Sequence, residues 1–241
     1  MFAGPNGSGK STLKTVLPPE LLGIYLNPDD MERDMRANGF LNLGAYGVAL
    51  TEAEAKAFFS NSAFLKEAGL VDVAERVSVS EGRLNFDRGA VNSYVASVTA
   101  DLFRQRLLDA RATFTLETVM SHASKVALLK HAQQLGYRTY LYYIATDDPE
   151  INVSRVKTRV QLGGHAVPED KIVKRYHASL NLLMDAIRHT NRAYIFDNSG
   201  EGQEKTWLAE VTEGKELEMK TDQMPAWFER AVWKKTVPSG A

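Results

Sequence analysis

Short apolar and β-branched runs recur along the chain, separated by stretches with helical periodicity. Phe2-Ala3 is the first and runs straight into Gly4; Ile24-Tyr25-Leu26-Asn27 is the second and is stopped by Pro28. Thr113 to Glu117, Thr139 to Ala145 and Ala193 to Asp197 follow. Each has the length and composition of a strand. Between them, Asp148-Pro149-Glu150 offers an N-cap, a proline at the first helical position and an acid in the first turn. Pro168-Glu169-Asp170 opens a second helix, with Ile172, Tyr176, Leu180, Leu183 and Ile187 as its apolar stripe. A third covers Gly89 to Asp109, with Val91, Val95, Val98 and Leu102 on one side, and Glu52 to Phe59 is also helical. Strands alternating with helices predict an α/β fold, a parallel sheet with helices on both faces. Met31 to Arg111 is too long for one crossover and predicts a helical insertion after the second strand, facing the substrate. Past Asp197 the period changes: Thr206 to Thr212 and Lys215 to Thr221 predict a C-terminal β-hairpin turning at Glu213-Gly214. No repeat or Gly/Ser-rich linker divides the chain. It reads as one domain over 1–241, with 31–111 as the insertion and 201–241 as a C-terminal extension.

Composition narrows the classes without choosing among them. With 241 residues the chain can bury a core without staples, and it has no cysteine, which excludes disulfides and thiolate metal sites. A formal charge of −1 with mixed signs gives no electrostatic basis for binding nucleic acid or a membrane surface. No apolar run reaches the roughly 18 residues of a membrane span. The opening Met1-Phe2-Ala3-Gly4 is not that of a signal peptide, so the expectation is a cytoplasmic protein.

The chemistry begins at Gly4-Pro5-Asn6-Gly7-Ser8-Gly9-Lys10-Ser11, which satisfies G-x-x-x-x-G-K-[ST] at every fixed position. Glycines let successive backbone N–H groups curl around a phosphate without Cβ clashes. A helix starting near Lys10 would point its positive end at the same anion. Lys10 can reach the β- and γ-phosphates of ATP, and the Ser11 hydroxyl is placed for Mg²⁺, with Thr12 next in line. A chance glycine turn would not follow an apolar stub and precede a helix. Only Met1 to Ala3 precede the loop, against the five or six residues of an ordinary strand. Either the first strand is truncated or the true start lies upstream. This fold is then a P-loop NTPase-type sheet.

In such sheets functional groups gather at the carboxyl ends of the strands. Asn27-Pro28-Asp29-Asp30 ends the second strand; a carboxylate there would accept a proton from an attacking hydroxyl or hold Mg²⁺ through water, or else cap the following helix. Glu117, followed by Thr118, ends the third strand, suited to substrate hydroxyls or to solvent. Arg155 and Arg159 share one helix face before Gly163-Gly164-His165 breaks the helix. This pattern fits either a mobile arginine lid that neutralises charge on a transferring phosphoryl group or a solvated face. Arg175, on the next helix, is a second candidate. No Walker-B aspartate stands in the usual place; Asp197 and Asn198 lie near the adenine or cap a loop.

Together these residues resemble the zeta-toxin family of small-molecule kinases. The match rests on Gly4 to Ser11, Asn27 to Asp30, Thr115-Leu116-Glu117-Thr118, the arginine-bearing helix and Gly164-His165-Ala166-Val167-Pro168. The resemblance implies a kinase using ATP and Mg²⁺, with UDP-N-acetylglucosamine as the acceptor in the toxins and an antitoxin protein as partner. By position it implies that Asp29 is the base, Asp30, Glu117 and Thr118 contact the acceptor, Arg159 or Arg155 is the first lid arginine, and Arg175 and His165 contact phosphate. The Gly-Gly-His segment and the long insertion leave room for another acceptor, such as a nucleoside, an antibiotic or a polynucleotide end. A catalytically silent ATP-binding module held by a partner is the reading from a different class.

Overall fold

The computed structural model describes residues 1–164, 166–200 and 204–236. In chain order its strands are β1 (Phe2–Ala3), β2 (Ile24–Leu26), β3 (Phe40–Asn42), β4 (Ser78–Ser80), β5 (Arg83–Asn85), β6 (Phe114–Thr118), β7 (Tyr140–Ala145), β8 (Arg192–Asp197), β9 (Thr206–Thr212) and β10 (Glu216–Met219). The main sheet has the order β10-β9-β8-β7-β1-β6-β2. Its pairs from β8 to β2 are parallel, and β9 and β10 add antiparallel. This is the P-loop NTPase-type architecture with helices on both faces and a C-terminal hairpin. The chain forms two compact units, Met1–Leu17 with Glu117–Ala241, and Pro18–Leu116.

In the first unit, β7 is buried on both sides, which is why Tyr-Leu-Tyr-Tyr-Ile-Ala reads as a continuous apolar run rather than an alternating one. Leu141, Tyr143 and Ala145 pack with Leu183 and Ile187 of the helix Glu169–Arg188 and with Trp227, Phe228 and Val232. Phe2, from the short β1, meets Tyr142 edge-on at 5.5 Å. The helix Pro149–Gln161 starts as expected, with the Asp148 side chain accepting from the Glu150 N–H at 2.8 Å. Its Val153 and Val156 pack on Ile172.

The second unit contains residues 31–111, and these are not purely helical. The helices Pro28–Asn38, Glu52–Asn61 and Ser93–Asp109 are joined by a three-stranded antiparallel sheet, β3-β5-β4. The helix Ser93–Asp109 begins four residues later than its periodicity suggests. Asn92 caps it, accepting from the N–H groups of Tyr94 and Val95, while Arg88–Ala90 is a separate 3₁₀ turn. Thr51 and Glu54 close a reciprocal capping box on Glu52–Asn61. Among the described residues, no helix is long and apolar enough to cross a membrane.

Candidate active site

The phosphate-loop motif forms the link between β1 and a 3₁₀ helix, Lys10–Val16. Gly4, Gly7 and Gly9 have φ of +148°, +76° and +95°, in the region that favours glycine. Space is the stronger constraint. A Cβ on Gly4 would lie 2.0 Å from the Ile144 carbonyl oxygen, one on Gly7 2.6 Å from that of Asn152, and one on Gly9 2.5 Å from the Asn198 amide nitrogen. The loop thus lies directly against the end of β7, the helix Pro149–Gln161 and the turn after β8.

Its carbonyls are taken up one by one. Pro5 O accepts from buried Lys10 Nζ at 2.8 Å, Asn6 O from Asn152 Nδ2 at 2.6 Å, and Ser8 O from Asn198 Nδ2 at 2.9 Å. Gly9 O accepts from both the N–H and the hydroxyl of Thr12. Two buried side-chain atoms in the loop have no hydrogen-bond partner among the described residues: Ser8 Oγ, on a fully buried residue, and Asn6 Oδ1. A buried hydroxyl left unpaired costs about 1–3 kcal/mol, and a phosphate oxygen in the cradle would accept a hydrogen bond from it. The glycines, Lys10 and Ser8 therefore fit a bound phosphate chain. Ser11 and Thr12 are exposed at the start of the 3₁₀ helix. Among the described residues, no group of three acidic or histidine side chains could hold a metal ion. A hydroxyl such as that of Ser11 fits Mg²⁺ only in company with phosphate oxygens.

The sequence-marked residues fall in distinct places. Glu117 is buried in β6, and the Thr118 hydroxyl accepts from the Met120 N–H, where Met120 has φ +54°. Arg155 donates to Asn198 O at 2.7 Å and Gly200 O at 2.9 Å. Arg159 lies one turn on, and its Cγ would be 2.7 Å from a Cβ on Gly164. Arg175 is half-buried and has no hydrogen bond or ion pair among the described residues. His165 lies outside the described residues. Asp197 caps a loop: its carboxylate accepts from Ser199 N, Ser199 Oγ and Trp227 Nε1.

In the other unit, neither aspartate caps the helix Pro28–Asn38. That role belongs to Asn27, whose side chain accepts from the Asp29 N–H at 3.0 Å. Asp30 pairs with Arg33 at 2.9 Å. The exposed Asp29 carboxylate has no hydrogen bond or ion pair among the described residues.

What sequence reasoning missed is Asn152. It is fully buried, and its Oδ1 accepts from the Thr146 hydroxyl. The only signal was a polar residue between Ile151 and Val153 on an amphipathic helix. Tyr176 adds a buttress, donating to Thr146 O at 2.7 Å; burial pushes its phenol well above the ordinary value, so it stays a donor.

A family model described as an AAA domain, AAA_33, matches residues 1–183. The chain belongs to the AAA_33 family. One relative of this AAA_33 chain is an uncharacterized protein of Haemophilus influenzae, 38% identical over 63 residues, which are 26% of this chain and 45% of that protein. Among solved structures the fold is similar to AvrRxo1-ORF1:AvrRxo1-ORF2 with sulphate ions, at TM-score 0.58 and 18% identity, covering 100% of this chain and 64% of that one. It is also similar to the same pair with ATP, at TM-score 0.53 and 18% identity, covering 100% of this chain and 65% of that one. The AAA_33 chain thus spans less than two-thirds of the length of these proteins.

Gly7→Ala tests the cradle. The clashing atoms belong to helix backbone, so the loop must shift, at about 1–3 kcal/mol of stability. Losing one charge-assisted hydrogen bond to phosphate should weaken ATP binding about 10- to 100-fold by titration calorimetry. Gly82→Ala is the control: its φ is +69° with nothing within 4 Å, so it bears the backbone strain alone and ATP affinity should not change.

Proposed function

We propose that the protein is an ATP-dependent phosphotransferase that moves the γ-phosphate of ATP to a hydroxyl of a small molecule. The observation that carries this reading is the cradle of Gly4, Gly7 and Gly9 around buried Lys10, with the Ser8 hydroxyl of the same loop buried and without a partner among the described residues. Backbone N–H groups of Asn6 to Ser11 hold the phosphates, and Lys10 neutralises charge on them. Ser11 would hold Mg²⁺, which would supply positive charge to screen the phosphates from the incoming hydroxyl.

Asp29 is the base. It takes the proton of the acceptor hydroxyl as that oxygen bonds to the γ-phosphorus, while the bond to the β-phosphate oxygen breaks and ADP leaves. Its carboxylate is suited to this because Asn27, not Asp29, caps the helix. Asp30, Glu117 and Thr118 contact the acceptor, and the 31–111 insertion shapes its site. Of the two helix arginines, the zeta-toxin resemblance assigns Arg159 to the transferring phosphoryl group, with Arg155, whose guanidinium donates to two carbonyls, as the alternative. Arg175, half-buried and unpaired among the described residues, is a second phosphate contact, and the zeta-toxin resemblance adds His165 to the phosphate-binding set. The chain works as one kinase-like domain, with 201–241 as an extension.

The zeta-toxin resemblance makes UDP-N-acetylglucosamine the first acceptor to test. The two-protein complexes with which the fold is shared favour a protein partner of the antitoxin kind. The test is mass spectrometry of a reaction holding the protein, ATP, Mg²⁺ and UDP-N-acetylglucosamine, with Lys10→Ala alongside. A phosphorylated sugar nucleotide made only by the wild type is expected. ATP binding without product there or in a metabolite extract would leave only the silent-module reading.

A further inference from the structure

We propose that Asn152 and Asn198 are positioning residues of the phosphate loop, and that Arg155 acts on the loop through Asn198. This rests on the loop's reading as a nucleotide site. A trans peptide holds its C=O and N–H in one plane, pointing in opposite directions. Whatever grips the carbonyl therefore aims the amide. Asn152 Nδ2 grips Asn6 O, which shares its peptide with the Gly7 N–H; Asn198 Nδ2 grips Ser8 O, which shares its peptide with the Gly9 N–H. The N–H groups of Gly7 and Gly9 consequently point away from the two asparagines, into the cradle. Glycine cannot hold such an orientation by itself, because it lacks the Cβ that would restrict its backbone.

Each asparagine is itself fixed. The Thr146 hydroxyl donates to Asn152 Oδ1, so the carboxamide must present its nitrogen to Asn6 O. Asn198 donates its backbone N–H to Ala145 O at 2.9 Å, and its own carbonyl accepts from Arg155 Nη1 at 2.7 Å. The other Arg155 nitrogen, Nη2, reaches Gly200 O at 2.9 Å, so one guanidinium spans the turn after β8. Asn152 and Arg155 are three apart and share a face of Pro149–Gln161. One helix face thus holds the loop twice, directly at Asn6 and through Asn198 at Ser8. None of the three side chains needs to touch the nucleotide.

The experiment uses Asn152→Ser, Asn198→Ala and Arg155→Lys in the full chain, with folding checked by circular dichroism. Two readouts are taken: calorimetric affinities for ATP and adenosine, and backbone amide NMR shifts of Gly7 and Gly9 without nucleotide. Each asparagine variant is expected to lose about tenfold in ATP affinity with adenosine unaffected, and to move the Gly7 or Gly9 amide respectively. Arg155→Lys should behave like Asn198→Ala, because an ammonium cannot fork across two carbonyls. Should Asn152→Ser misfold, Asn198→Ala and Arg155→Lys still decide the matter. Folded variants with unmoved amides and wild-type ATP affinity would overturn the proposal. So would an Arg155→Lys that lowers kcat alone, which would make Arg155 a charge stabiliser. A wild type that binds no ATP would sink the nucleotide reading, yet the amide shifts would still decide whether the asparagines set the loop.

Discussion

Asp29→Asn should reduce phosphate transfer about 10²- to 10⁴-fold, the range for removing a general base, while ATP binding persists. The substitution is close to isosteric, and the backbone N–H of residue 29 still donates to Asn27, so the helix cap survives. Stability should fall only by the first-turn charge that the helix N-terminus favours, about 0.3–1 kcal/mol. That separation is the purpose of the design: a large loss in turnover against a small one in stability leaves proton removal as the cause. Asp30→Asn is the matched comparison. It breaks a surface pair with Arg33, about 0–1 kcal/mol. As a binding contact, Asp30 should show itself by a raised KM with kcat largely kept. Single-turnover kinetics on both variants decide the matter. Equal losses in the two, or full turnover in Asp29→Asn, would remove Asp29 from the base role.

The phosphate loop was legible in the sequence because its constraint is local: the spacing of glycines, lysine and serine is the geometry itself. Its supports were not. Asn152 lies 146 residues from Asn6 and Asn198 lies 190 from Ser8, and nothing near either residue distinguishes a buried strut from a solvated amide. Arg155 shows the same limit. Its i,i+4 spacing with Arg159 gave the shared helix face correctly, but not that two carbonyls of a distant turn would occupy its guanidinium.

In the fold, strands with strong apolar runs were located to within a residue. β7 was expected over 139–145 and spans Tyr140–Ala145; β9 matches Thr206–Thr212 at both ends. The small β3-β5-β4 sheet escaped because each strand is three residues long, too short for alternation to register. The start of Ser93–Asp109 moved because the Asn92 side-chain cap outweighed periodicity. The C-terminal segment Ala226–Phe228 escaped for the opposite reason, since its order comes from tertiary contacts and not from any pattern of its own.

Trp227 concentrates those contacts, and Trp227→Ala should be the most destabilising single change in the extension. The side chain is fully buried, 6.1 Å from the ring of Tyr143 and 5.8 Å from that of Phe228. Its removal should cost about 3–5 kcal/mol, lowering Tm by roughly 6–20 °C for a protein of this size. Trp227→Phe keeps most of the packing but loses the indole N–H, which donates to Asp197 Oδ1 at 2.7 Å; about 1–3 kcal/mol should go with it. The consequence runs past stability. Asp197 holds Ser199, Ser199 accepts from the Asp147 N–H, and Asn198 stands between them with its amide on Ser8 O. Loosening Asp197 should therefore weaken ATP binding in Trp227→Phe at temperatures where the variant remains folded. Calorimetric unfolding and ATP titration on the same samples would test both halves. If Trp227→Ala costs less than about 1 kcal/mol, the extension does not brace the sheet; if Trp227→Phe unfolds earlier yet binds ATP normally, the Asp197 turn is not what holds the loop.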